Sequence, residues 1–149
     1  MMIKHLPLLA VVLLGSLTAS AQKIKRIPLP ASQNPSNSDL PISAAVWAGD
    51  TLYVSGWLDP DRKTHTDTKS QTVGLITDIQ KFLESQKLTL GDVVMMRVYL
   101  WNNPATGGQP DFDGMTAGYT QFFGTKDQPN KHARAPRCRW FCPPLIVAL

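Results

Sequence analysis

Residues 44–56 read Ala-Ala-Val-Trp-Ala-Gly-Asp-Thr-Leu-Tyr-Val-Ser-Gly. Two short apolar, β-branched and aromatic runs, Ala44 to Trp47 and Leu52 to Ser55, flank the turn Ala48-Gly49-Asp50. Gly49 supplies the backbone freedom that a tight hairpin turn needs. This hairpin fixes the chain as strand-led at its start, and the segments on either side extend it. Upstream, Ile24 to Ile27 is a further short strand, joined to the hairpin by the small, polar, turn-forming stretch 31–38. Downstream, residues 58–67 are polar and turn-rich.

From Thr68 the spacing changes. Val73, Ile76, Ile79, Phe82 and Leu83 recur at three- and four-residue steps, which predicts a helix over 68–87 with Asp67 as its N-cap. Gly91 closes the connection, and Val93 to Leu100 is a run of strand length. Trp101 to Pro110 reads as a Pro/Gly loop. A second helix is expected from Asp111, with Phe112, Met115, Tyr119, Phe122 and Phe123 on one face as core. The order is β-β-β-α-β-α, and two helices packed on one face of a mostly antiparallel sheet is the economical α+β architecture.

The whole chain is 149 residues, 43% apolar, with 15 Lys+Arg against 11 Asp+Glu and a mean hydropathy of −0.12. These values describe one ordinary globular domain and exclude disorder, collagen and repeat arrays. The one long uncharged apolar run, Leu6 to Leu17, follows Lys4 and leads into Ala19-Ser20-Ala21. It has the n-region, h-region and small-residue cleavage site of a secretory signal, and it is too short to span a hydrocarbon core of ~30 Å. Residues 1–21 are therefore expected to be removed, with the mature chain starting at Gln22 in the periplasm or outside the cell. That removal takes away Lys4 and no acid, so the formal charge falls from +4 to +3. With no basic stripe and no interleaved aromatics, the surface does not suit a nucleic acid. Cys138 and Cys142 lie too close together for a bridge to close a useful loop, and they lack zinc-spaced partners.

Three stretches then align with one family. Pro41 to Val46 running into Gly49-Asp50-Thr51-Leu52-Tyr53-Val54-Ser55-Gly56, then Gly91-Asp92-Val93-Val94, then Tyr119-Thr120-Gln121-Phe122-Phe123-Gly124 followed by Ala133-Arg134, together resemble the RidA (YjgF-type) family over about residues 24–134. The resemblance implies a chorismate-mutase-like α+β fold and a homotrimer with active sites in the clefts between subunits. It implies hydrolysis of 2-imino or enamine acids to 2-oxo acids and ammonia, with no metal or organic cofactor. Arg134 stands where the family binds the substrate carboxylate, a role that suits a planar guanidinium able to give two parallel charge-assisted hydrogen bonds. Ser55 and Gly56 stand where a hydroxyl and a backbone N–H would line the cleft. On the residues alone, Ser55-Gly56 is a strand end at a bulge, Arg134 a solvated surface arginine, and His65 and His132 solvated loop residues.

Two departures follow. Ile42 stands where many deaminating members carry a pocket Tyr. After Arg134 the family continues with two strands, the last bearing a catalytic Glu, whereas residues 135–149 read Ala-Pro-Arg-Cys-Arg-Trp-Phe-Cys-Pro-Pro-Leu-Ile-Val-Ala-Leu. This tail is read as aberrant, the product of a frameshift, and as replacing both strands. The expectation is a domain over 22–134 with impaired assembly, either monomer or aggregate, and impaired catalysis. The alternative function is a non-catalytic binder of small carboxylates on the same fold. A structural or translation-inhibiting role is disfavoured by export and by the charge pattern.

Overall fold

The computed structural model describes residues 23–29, 40–103, 106–138 and 146–148. The expected signal at 1–21, the connector at 31–38 and Cys142 lie outside the described residues. Strands β1 (Ile24–Ile27), β2 (Ala45–Ala48) and β3 (Thr51–Val54) form one antiparallel sheet in that order. The turn between β2 and β3 places Gly49 at φ 60°, the left-handed region that glycine enters without a steric cost. Helix α1 (Thr68–Ser85) follows, with Asp67 Oδ1 accepting the Ser70 N–H at 2.8 Å. It ends two residues short of the sequence expectation. Lys87 turns to φ 62°, and the N–H groups of Lys87 and Leu88 close back on Glu84 O and Leu83 O, an αL termination that satisfies the last carbonyls.

Strand β4 (Met95–Leu100) begins after a single 3-10 turn at Leu90–Asp92. The expected loop 101–110 contains a small antiparallel pair, β5 (Asn102–Asn103) with β6 (Gln109–Pro110). Helix α2 (Phe112–Tyr119) is capped by Asp111 Oδ1 accepting the Gly114 N–H at 2.8 Å. It is shorter than its aromatic pattern suggests. Phe122 and Phe123 lie in the turns beyond it, and Phe112 at its first position is exposed, not in the core.

The tail departs from expectation. Ala133–Cys138 forms β7, parallel to β4 with Arg134 opposite Met96, and Ile146–Ala148 forms β8, antiparallel to β4 on its other side. The expectation that residues 135–149 cannot supply strands is therefore corrected. Pro136 sits inside β7, and it is tolerated because β7 is an outer strand of the order β7-β4-β8, where the ladder to one neighbour uses only alternate N–H groups. The two helices pack over β4, whose Met96, Val98 and Leu100 are buried with Leu75, Ile76, Ile79, Leu83 and Met115. On α1 the buried stripe is shifted from the expected one: Thr72 and Leu75 are buried and Val73 is half-buried. Thr72 is covered by Gly118 of α2, where a Cβ would meet its side chain at 2.7 Å. The architecture is the α+β arrangement read from the sequence, with one parallel pairing inside it.

Candidate functional site

Arg134, the second residue of β7, shares its register position with buried Met96 and so projects toward the helix layer. Its guanidinium carbon lies 4.8 Å from the centroid of the Tyr119 ring, a cation–π contact that holds the fork in place while Arg134 itself stays exposed. Tyr119 is buried on α2, and its hydroxyl donates to the sulfur of Met96. Burial pushes the Tyr119 phenol well above its ordinary value, with Arg134 opposing in part, so the ring stays protonated and keeps that bond.

A cavity of about 430 Å³ opens beside this pair. Thr116 and Tyr119 line it from α2, Thr120 and Phe123 from the turns that follow, and Lys131, His132 and Arg134 from the approach to β7 and its start. No Asp or Glu is among these lining residues. Arg134 and Lys131 with the Thr116 hydroxyl describe a site for a small anion, because a carboxylate entering it meets charge-assisted donors, whereas the Thr120 hydroxyl donates to Ala117 O at 3.4 Å and offers acceptor capacity. A second, more apolar cavity of about 300 Å³ lies between β3 and the start of β4, lined by Leu52, Val54, Leu83 and Met95 with Asp50 and Asp92. Its charged groups have the wrong sign for an acid.

His132 is the residue that sequence reasoning placed in solvent. Both of its ring nitrogens are buried without a hydrogen-bond partner. The ring packs at 4.3 Å edge-on to Phe123 and at 5.6 Å from Tyr119. Burial first, and the Arg134 charge second, hold its pKa below the usual 6.5, so the imidazole is neutral at pH 7. The signal available in the sequence was the run Lys131-His132-Ala133-Arg134, three basic side chains at the entry to a strand.

Ser55 and Gly56 follow β3, which ends at Val54, one residue short of the sequence expectation, and they are not among the residues lining the Arg134 cavity. The Ser55 hydroxyl donates to Ser43 O at 2.6 Å, which leaves it only acceptor capacity toward a ligand. His65 is half-exposed and pairs through Nδ1 with Asp59 Oδ2 at 2.8 Å. Among the described residues no cluster of three or more His, Cys, Asp or Glu could hold a metal ion.

The fold and the cavity define a small α+β protein with a cation-lined pocket between the end of α2 and the start of β7. A sequence profile described as endoribonuclease L-PSP matches residues 33–136. The chain belongs to that family, the RidA/YjgF family of the sequence resemblance. RutC family proteins of Saccharolobus solfataricus and Pyrococcus horikoshii are 36% and 33% identical over 90 and 88 residues, covering 58% and 56% of this chain. Those matches span 67% and 65% of the relatives' own length. Among solved structures, the YjgF gene product of E. coli superposes with a TM-score of 0.60 at 19% identity, covering 83% of this chain and 90% of that one. Yeast Mmf1 gives 0.62 at 17%, covering 85% and 95%. These structural likenesses establish the fold.

Proposed function

We propose that this is an exported RidA-family protein whose Arg134 cavity takes a small 2-imino or 2-oxo acid and hydrolyses the imine to the 2-oxo acid and ammonia at a reduced rate. The observation that carries the reading is the exposed guanidinium held over Tyr119 beside Lys131, in a cavity sized for a small ligand. The carboxylate of a 2-imino acid would bridge the Arg134 fork and leave the imine carbon facing the Thr116 side of the cavity. Water then adds to that carbon, the nitrogen gains a proton, and the C–N bond breaks. A reduced rate is expected from the absence of a carboxylate among the lining residues, since acid–base help from a well-placed group is typically worth ~10²–10⁴ in rate. That same absence favours one second reading, a non-catalytic carboxylate binder.

Ser55 and Gly56 enter this proposal through a neighbouring subunit, because one chain does not bring them to Arg134. The pairing of β7 and β8 with β4 supports the family-type homotrimer over the monomer or aggregate expected from the sequence, and the homotrimer is the assembly we propose. Light scattering tests it. The Ser55→Ala and Arg134→Ala chains mixed in one assembly should regain part of the activity that each lacks alone.

The primary experiment generates 2-iminopropanoate in situ and follows its decay. Acceleration that Arg134→Ala abolishes supports the hydrolase reading. Binding of 2-oxobutanoate that Arg134→Ala abolishes, without acceleration, supports the binder. Arg134→Lys should behave more like Arg134→Ala than like the native chain, because an ammonium cannot give the bidentate contact. Export is tested by intact mass: a secreted product starting at Gln22 is expected, and a soluble cytoplasmic product retaining residues 1–21 would refute it.

A further inference from the structure

His132 is half-buried, but its two ring nitrogens are buried without a partner, an uncompensated cost at the wall of a cavity that a bound group could offset. We propose that His132 is the acid–base residue of the Arg134 cavity, taking a proton from the attacking water and returning it to the departing nitrogen; this rests on the imine-hydrolysis reading above.

His132 lines the same cavity as Arg134, two residues away in sequence. Its ring is positioned by aromatic contacts with Phe123 and Tyr119, not by hydrogen bonds, so neither nitrogen is already committed. The other polar group in that stack, the Tyr119 hydroxyl, is engaged with Met96 sulfur and does not compete for it. The imidazole nitrogens are turned away from solvent in the structure. The ring torsion is broad, and the proposal requires a turn about it that exposes one nitrogen to the cavity.

The ionisable groups that share the cavity with His132 are Tyr119 from α2 and Lys131 and Arg134 from its own segment, with no carboxylate among them. Burial and the Arg134 charge both favour the neutral ring, so a free lone pair is present at pH 7. In the proposed step the water oxygen bonds to the carbon of the protonated imine and the C=N π pair moves to nitrogen. One water proton passes to the imidazole, leaving a carbinolamine. The imidazolium then protonates the amine nitrogen and the C–N bond breaks. The hydroxyl oxygen re-forms C=O, its proton leaves with the ammonia as ammonium, and His132 is neutral again.

The test compares the native full chain with His132→Gln and His132→Phe, the second of which keeps the aromatic stack. Decay of 2-iminopropanoate is followed from pH 5 to 8, beside binding of 2-oxobutanoate. Both variants should lose about 10²-fold or more in kcat with KM within about threefold, and should lose the acid limb that the native profile shows below pH 6.5. An NMR titration should place the His132 ring below 6.5 in the native chain and nearer 6.5 in Arg134→Gln. Native-like kcat and an unmoved limb in either folded variant overturn the proposal while leaving the hydrolase reading intact. A native chain that binds 2-oxobutanoate but never accelerates imine decay overturns both. A merely packing role would lower the melting temperature or raise KM and leave the limb in place.

Discussion

Among the described residues, two histidines lie against the helices α1 and α2, and they are treated in opposite ways. His65 lies over α1, its Nδ1 2.8 Å from the carboxylate of Asp59, which is itself 2% exposed. Its carbonyl accepts from Gln71 of α1 at 2.9 Å. Nearby, the indole N–H of Trp57 donates to Asp78 of the same helix at 2.6 Å, so the whole polar loop between β3 and α1 is strapped down. His132 lies against α2 among aromatic rings with no partner for either nitrogen. A satisfied histidine with a buried carboxylate behind it is scaffold, and its energetic value is realised in the folded chain. An unsatisfied one beside cations in a cavity is a cost that a bound group can offset.

The largest effect expected from this contrast is at Gly74. A Cβ there would run into Asp59 Oδ1 and meet the His65 ring at 2.8 Å, so the helix offers a flat floor on which the pair rests. Gly74→Ala should destabilise by about 3 kcal/mol through overpacking, read from the urea midpoint, with 2-oxobutanoate affinity of the folded fraction unchanged. A neutral substitution would show that the strap carries no stability.

The opposite sign is expected for His132→Phe. Removing two unpaired nitrogens while keeping the ring should stabilise by about 1–2 kcal/mol, and a loss of stability would mean that the nitrogens have partners in solution. Asp67→Ala removes the α1 cap beside His65 and should cost about 1 kcal/mol, with the His132 ring resonances unmoved. The smallest effect is the pH dependence. His132 has a folded pKa below 6.5, so the unfolded chain binds its proton first, and stability is fully present above 6.5 and falls as pH drops from there toward the folded value. The urea midpoint should decline between pH 7.5 and 5.5, and less so in His132→Phe.

Much of the fold was legible because its signals are local. The alternation around Gly49 encodes the hairpin, and Asp67 and Asp111 cap the two helices where the sequence placed the starts. What local signals could not supply was phase and partner. Thr72 is buried instead of Val73 because Gly118 of another helix approaches there, a contact between residues far apart in sequence. The tail misled for a related reason: residues 135–149 were read as replacing both strands, whereas Ala133–Cys138 pairs with β4 as an outer strand of the described sheet, a partner far away in sequence. At the site, Arg134 was legible through the family motif, but the aromatic enclosure of His132 depends on Tyr119 and Phe123 folding over the segment that precedes β7, which no spacing in the sequence reveals.

Pro136 has a consequence for what the protein does in a crowded compartment. A sheet's outer strand offers its unused N–H and C=O groups to any passing chain, and that offer begins edge-to-edge aggregation. At position 136 the outer row of β7 has no hydrogen to give. An arriving strand would have to leave a gap in its ladder at mid-strand, so Pro136 works against edge-to-edge pairing at that position.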